Sequence, residues 1–185
     1  LTVAAVLLDN EVSFAVCGSP ALAEKITELT LAKTAAVSKA DYIFVTENAD
    51  WQEAVQAAKC GTLRDPHKSA TVILCTADLQ AGKLQRISGP GIKAVQEIIM
   101  CPELQAALGK RDEQEYEYPL GLDFFVLDQR GCLMGIPRKT RIERNIMKKV
   151  NSPVVSVSLN SYHQLSDANE QTGLSNNSTD AYLQN

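Results

Sequence analysis

Histidine is nearly missing from this chain: His67 and His163 are the only two among 185 residues. That scarcity leaves little for imidazole-rich metal sites. Cysteine is present but unpaired in sequence. Cys17, Cys60, Cys75, Cys101 and Cys132 are widely spaced, with no CxxC among them. Structural zinc sites usually draw on ligands a few residues apart, and disulfide frameworks belong to shorter secreted chains. Reduced and mostly buried thiols, behaving as small hydrophobes, are the expectation. A surplus of positive charge is also lacking, since 18 Lys and Arg face 22 Asp and Glu for a net charge of -4. A general nucleic-acid binder would be basic, so that class is excluded. No apolar run approaches the roughly 20 residues that a membrane-spanning helix needs. No secretory signal opens the chain, which leads us to expect a cytoplasmic protein.

What is present is backbone punctuation. Three glycine/proline motifs follow one another: Ser88-Gly89-Pro90-Gly91-Ile92, Tyr118-Pro119-Leu120-Gly121-Leu122-Asp123, and Gly135-Ile136-Pro137-Arg138-Lys139-Thr140-Arg141. Glycine permits positive φ, and proline fixes φ while deleting a donor, so each motif dictates a stiff chain reversal. Gly89, Pro90 and Gly91 lack the spacing of a dinucleotide fingerprint or a P-loop and read as a hairpin turn. Pro119 and Gly121 set the start of a strand, and Pro137 closes another. Asp123 suits satisfaction of neighbouring backbone N–H groups better than catalysis.

The remaining segments alternate between strand and helix. Residues 3–8 read as a buried strand, paired with residues 13–16. Ser19 caps a helix with Pro20 at its first position, and Leu22, Ile26 and Leu29 form one stripe. Residues 42–45 form the next strand. Asp50 caps a second helix, with Glu53 at capping-box spacing, Trp51, Ala54, Val55 and Ala58 on one face, and Gly61 as its stop. Residues 70–76, rich in β-branched residues and apolar on both faces, form the clearest central strand. Residues 84–88 and 95–100 read as a hairpin about Gly89–Gly91, although a helical face also fits the second run. Pro102 starts a short helix over Leu104 and Leu108 that Gly109 ends. Residues 122–127 and 132–136 form a second hairpin. A single α/β domain over residues 1–150 is therefore expected, built on a mixed β-sheet flanked by helices. Residues 152–157 could supply an edge strand, and residues 151–185 are polar enough to remain disordered.

The strongest functional signal is basic. Arg138, Lys139, Arg141, Arg144, Lys148 and Lys149 cluster beside Thr140 in an otherwise acidic chain, opposed locally only by Glu143. Arginine suits bidentate recognition of phosphate or carboxylate, so a triphosphate ligand and an acidic partner surface both fit. A solvated, charged strand end fits equally well. His67 beside Asp65 has no nucleophile that the sequence places near it. Lys39, Lys83 and Lys93 are Schiff-base candidates that nothing singles out. No catalytic residue and no metal site are identified.

The segments LQRISGPGI, PELQAALGKRDEQEYEYPLGLDFFVLD and LMGIPRKTRIE, in that order, resemble the PhnH subunit of the bacterial carbon–phosphorus lyase system. The segments AVQAAKCGTLRDP and ATVILC fit the same pattern more loosely, and the resemblance runs from about residue 1 to residue 143. It implies an α/β fold similar to pyridoxal-phosphate-dependent transferases, without the cofactor. It also implies a subunit of the machinery that joins the ribose triphosphate of ATP to an alkylphosphonate such as methylphosphonate while adenine is displaced. A homodimer that enters a complex with the G, I and J subunits is implied, with a nucleotide or phosphonate nearby. Two departures are expected: the family's N-terminal helix and Pro-Gly turn precede the first residue here, and residues after Arg144 outlast the family's usual end. Alternatives outside this class are a stand-alone pyridoxal-phosphate transferase using a lysine and a generic phosphate-binding module.

Overall fold

A computed structural model describes residues 1–143. Arg144, Lys148, Lys149, the 152–157 strand and the 151–185 tail lie outside the described residues.

The core is a six-stranded sheet of order β2-β1-β3-β4-β7-β8. Its members are β1 (Ser13–Cys17), β2 (Lys33–Thr34), β3 (Tyr42–Val45), β4 (Thr71–Thr76), β7 (Asp123–Asp128) and β8 (Leu133–Ile136). All neighbours pair in parallel except β7 and β8, which form an antiparallel hairpin. Strand β4 sits between β3 and β7. A parallel strand in that position is covered on both faces, which is why its sequence is apolar without alternation. Val72, Ile73 and Leu74 are buried accordingly. Each such side chain contributes about 1.5–3 kcal/mol of burial free energy.

Helices lie on both faces. Helices α1 (Thr2–Leu7) and α2 (Pro20–Thr30) bring Ala4, Leu8 and Ile26 against Phe14, Phe44 and Ile73. On the other face α3 (Trp51–Ala57) and α4 (Pro102–Asp112) bring Ala54, Val55, Leu104 and Leu108 against Ile43, Val45, Val72, Phe124 and Val126. A second sheet of order β6-β5-β9 pairs β5 (Lys83–Ser88) antiparallel with both β6 (Gln96–Met100) and β9 (Arg141–Ile142). No helix among the described residues is long and apolar enough to cross a membrane.

The mixed sheet flanked by helices, both hairpins and both cap residues are as expected. Ser19 Oγ accepts from Leu22 N at 3.3 Å, and Asp50 Oδ1 accepts from Gln52 N and Glu53 N. Five expectations fail. Residues 3–8 are not a strand: a short apolar run has no period of its own, and Ala4 and Leu8, one helical turn apart, both reach the Phe14–Ile26 patch. Residues 13–16 therefore pair with β2 and β3 instead. Leu29 is exposed, because α2 stops at Thr30 with Leu31 in a left-handed cap. Helix α3 ends at Ala57, before Gly61, and α4 runs three residues past Gly109.

Candidate functional site

The three glycine/proline motifs meet at one place. Beyond β8, the segment Pro137-Arg138-Lys139-Thr140 turns back on itself, with Thr140 N donating to the Pro137 carbonyl at 2.9 Å. It then enters β9 beside β5. Gly89 lies against this turn with φ near 145°, and a β-carbon built there would stand 2.8 Å from Thr140 Cα. Gly121, with φ of 142°, lies under Arg138, whose Cβ would be 3.2 Å from an added β-carbon. Both glycines thus permit a close approach that no other residue tolerates in that backbone conformation. Pro90, Gly91 and Pro119 shape the turns around them, and the Tyr118–Pro119 peptide is cis.

The basic residues are arranged unequally around that junction. Arg138 is mostly withdrawn from solvent. Its backbone N–H donates to Asp123 Oδ1 at 2.7 Å, its guanidinium forks onto the same carboxylate, and Nη1 reaches the Pro66 carbonyl at 2.8 Å. Asp123 therefore satisfies a backbone N–H, as its position suggested, and also neutralises the arginine. Thr140 is buried. Arg141, about half exposed, donates to Asp112 Oδ1 at 2.8 Å. Lys139 stands over the Tyr118 ring, 5.1 Å from its centroid. Its pKa is lowered by partial desolvation and by the guanidiniums of Arg141, Arg138 and Arg111. Lys139 thus sits in a positive local field, without a carboxylate partner among the described residues. Arg144 is outside the described residues.

Arg111, on α4, is the residue that the motif reading passed over. Only 1% of its surface is exposed. Its guanidinium donates to the carbonyls of Thr140 at 2.5 Å and Pro137 at 3.5 Å, takes Asp112 at 2.9–3.0 Å, and lies 5.9 Å from the centre of the Phe124 ring. Burial lowers its pKa and the Asp112 carboxylate opposes that. A buried charge needs this degree of pairing to be tolerated. The available signal was positional: Leu104, Ala107, Leu108 and Arg111 form one buried helical stripe. An arginine ending such a stripe has to meet something polar.

Between these side chains lies a cavity of about 20 Å³. That holds one water and no more. An anion would therefore meet this site from outside, through Lys139 and Arg141, and would not be enclosed. Tyr116 borders the cavity, its phenol pushed up to about 12 by burial and by the neighbouring Cys60.

The remaining candidates are dispersed. His67 is exposed on a 3₁₀ turn (Pro66–Lys68), and Lys39, Lys83 and Lys93 are all exposed. Cys101 is buried, Cys17, Cys60 and Cys75 are partly buried, and Cys132 is exposed. Burial raises the thiol pKa of Cys17, Cys75 and Cys101, so these are poor nucleophiles near neutrality. No cluster of three potential metal ligands occurs among the described residues.

A comparison with curated proteins finds no match. A model of the bacterial phosphonate metabolism protein PhnH matches residues 1–143, the same span that folds around the three converging motifs. The chain therefore belongs to the PhnH family of phosphonate metabolism proteins.

Proposed function

We propose that this chain is an accessory, non-catalytic subunit of a carbon–phosphorus lyase core complex that breaks down organophosphonates. In this reading it assembles as a homodimer with the G, I and J subunits in the cytoplasm. The complex forms α-D-ribose 1-methylphosphonate 5-triphosphate from ATP and methylphosphonate, and the chemistry resides in the companions. The observation that carries the reading is the family match over residues 1–143, which includes all three motifs. The geometry adds a division of labour at the basic turn. Arg111 and Arg138 are struts that hold it, while Lys139 and Arg141 present charge outward to an acidic partner surface or to a nucleotide nearby. A fold similar to pyridoxal-phosphate-dependent transferases, without the cofactor, belongs to the same proposal. It draws support only from the open, mostly parallel sheet with helices on both faces.

The decisive experiment is reconstitution with purified G, I and J subunits. The wild-type chain is expected to co-elute with them, and Lys139→Glu with Arg141→Glu to weaken the complex most at low salt, where exposed charges act over the longest range. Normal assembly of that double variant across a salt series would remove the basic turn from the interface. Turnover of a phosphonate by this chain alone would refute the accessory role. A Schiff-base absorption band on adding pyridoxal phosphate would favour a stand-alone transferase. Calorimetry with ATP, ribose triphosphate and inorganic phosphate separates the proposal from a generic phosphate-binding module.

A further inference from the structure

A cleft of about 650 Å³ lies between α4 and the β5–β9 pair, beside the basic turn. Its charge is of the opposite sign. Asp112, Glu113, Glu115 and Glu143 line it, against Arg86 alone. Asp112 is held by Arg111 and Arg141, and Glu113 by Lys110. Neither Glu115 nor Glu143 has a cationic partner among the described residues, although Glu143 accepts from the Ser88 hydroxyl. Carboxylates without a counter-ion on the walls of a cleft favour cations, because the low-dielectric walls focus their field.

Two further features describe what fits. Gly109 lines the cleft from within α4, and a β-carbon built there meets nothing within 4 Å. Glycine inside a helix costs about 1 kcal/mol relative to alanine. Nothing within the described fold requires that sacrifice, whereas a segment laid against α4 from outside would. Next, Leu84 lines the cleft and is 62% exposed, and its cross-strand partner Ile99 is 37% exposed. This apolar pair continues the cleft onto the outer face of the hairpin, beyond what a small polycation would cover.

We infer that this cleft is a docking groove for a basic, amphipathic segment of a partner protein. Its cationic side chains would meet Glu115 and Glu143, its backbone would approach Gly109, and its apolar side chains would cover Leu84 and Ile99. The inference goes beyond the proposed function. It concerns the acidic cleft next to the basic turn, with which it shares Asp112 and Glu115, and holds whichever pathway the partner serves.

The test uses the whole chain and a labelled amphipathic peptide with leucines on one face and arginines on the other, followed by fluorescence anisotropy. Binding that weakens with added salt is expected. Gly109→Gln should leave the Tm unchanged or higher, because it improves helix propensity. It should also weaken the peptide about tenfold, as filling the centre of an interface does. Glu115→Lys should weaken binding and flatten its salt dependence. Unchanged affinity in both variants overturns the groove. Equal binding of a peptide with glutamates in place of the arginines also overturns it. Spermidine binding as tightly as the peptide, with the same sensitivity to the variants, replaces it with a small polycation site. Because Glu115→Lys changes only an exposed side chain, the test survives any misfolding of Gly109→Gln.

Discussion

The central strands and the basic turn are stabilised by different physics. In β3, β4 and β7 the side chains are apolar and enclosed by helices, so order follows from burial, and neighbouring residues of similar size are interchangeable to a degree. Around Arg138 and Thr140 order follows from directional pairing. One buried guanidinium, two carboxylates and two close-approach glycines each have a specific partner. The first region tolerates substitution of like for like. The second fails when a single partner is removed, since what remains is an unpaired buried group.

The largest expected effect sharpens that contrast. Arg111→Ala strands the carbonyls of Thr140 and Pro137 and leaves Asp112 to Arg141 alone, and should cost about 1–3 kcal/mol for each carbonyl left unsatisfied. Ile73→Val in the central sheet should cost only about 0.5–1.5 kcal/mol. Urea denaturation of both variants checks the ordering, and an Arg111→Ala cost no larger than that of Ile73→Val would dissolve the distinction.

Gly89→Ala should come next, at about 1–3 kcal/mol, because both the positive φ and the Thr140 backbone oppose a β-carbon. Gly91→Ala, also at positive φ but with open space around it, separates the two causes. A cost for Gly91→Ala equal to that of Gly89→Ala would assign the effect to φ alone.

A pH series probes pairing at the edge of the central sheet. Burial raises the pKa of Asp41, but the Lys59 ammonium at 2.6 Å and the N–H and hydroxyl of Ser13 outweigh it, leaving the folded value depressed. A carboxylate lowered in the folded state stabilises it fully above the unfolded value, about pH 4, and loses that contribution as pH falls through the folded value. Asp41→Asn should therefore flatten the acid side of the stability curve and leave its slope above pH 6 unchanged. The smallest effect is assigned to Lys139→Ala, within about 0.5 kcal/mol, since this half-buried lysine makes no ion pair among the described residues.

Legibility in the sequence followed the same divide. Strand β4 was visible because an uninterrupted β-branched run has few other uses, and the hairpins because Gly89-Pro90-Gly91 and Asp128–Gly131 are turn chemistry. Residues 3–8 misled because six apolar residues without punctuation satisfy a helix and a strand alike. Gly109 misled because a glycine within an otherwise good helix stops it only when nothing beyond continues the buried stripe, and Arg111 does continue it. At the site, the basic residues were legible as charges but not as roles, since whether an arginine is a strut or a ligand depends on partners far away in the chain.

Local chemistry alone determined the strand-forming runs, the stiff reversals, the helix starts at Ser19 and Asp50, and membership in a family recognisable by its turns. Those properties depend on a few adjacent residues and their φ, ψ preferences. Tertiary structure decided that Gly89, Gly121 and Thr140 converge, that Arg111 is buried beneath them, and that Lys139 is left facing outward. The physical reason is that a charge in a sequence has no fixed neighbours. Its environment, and so its purpose, is supplied by the residues that folding brings to it.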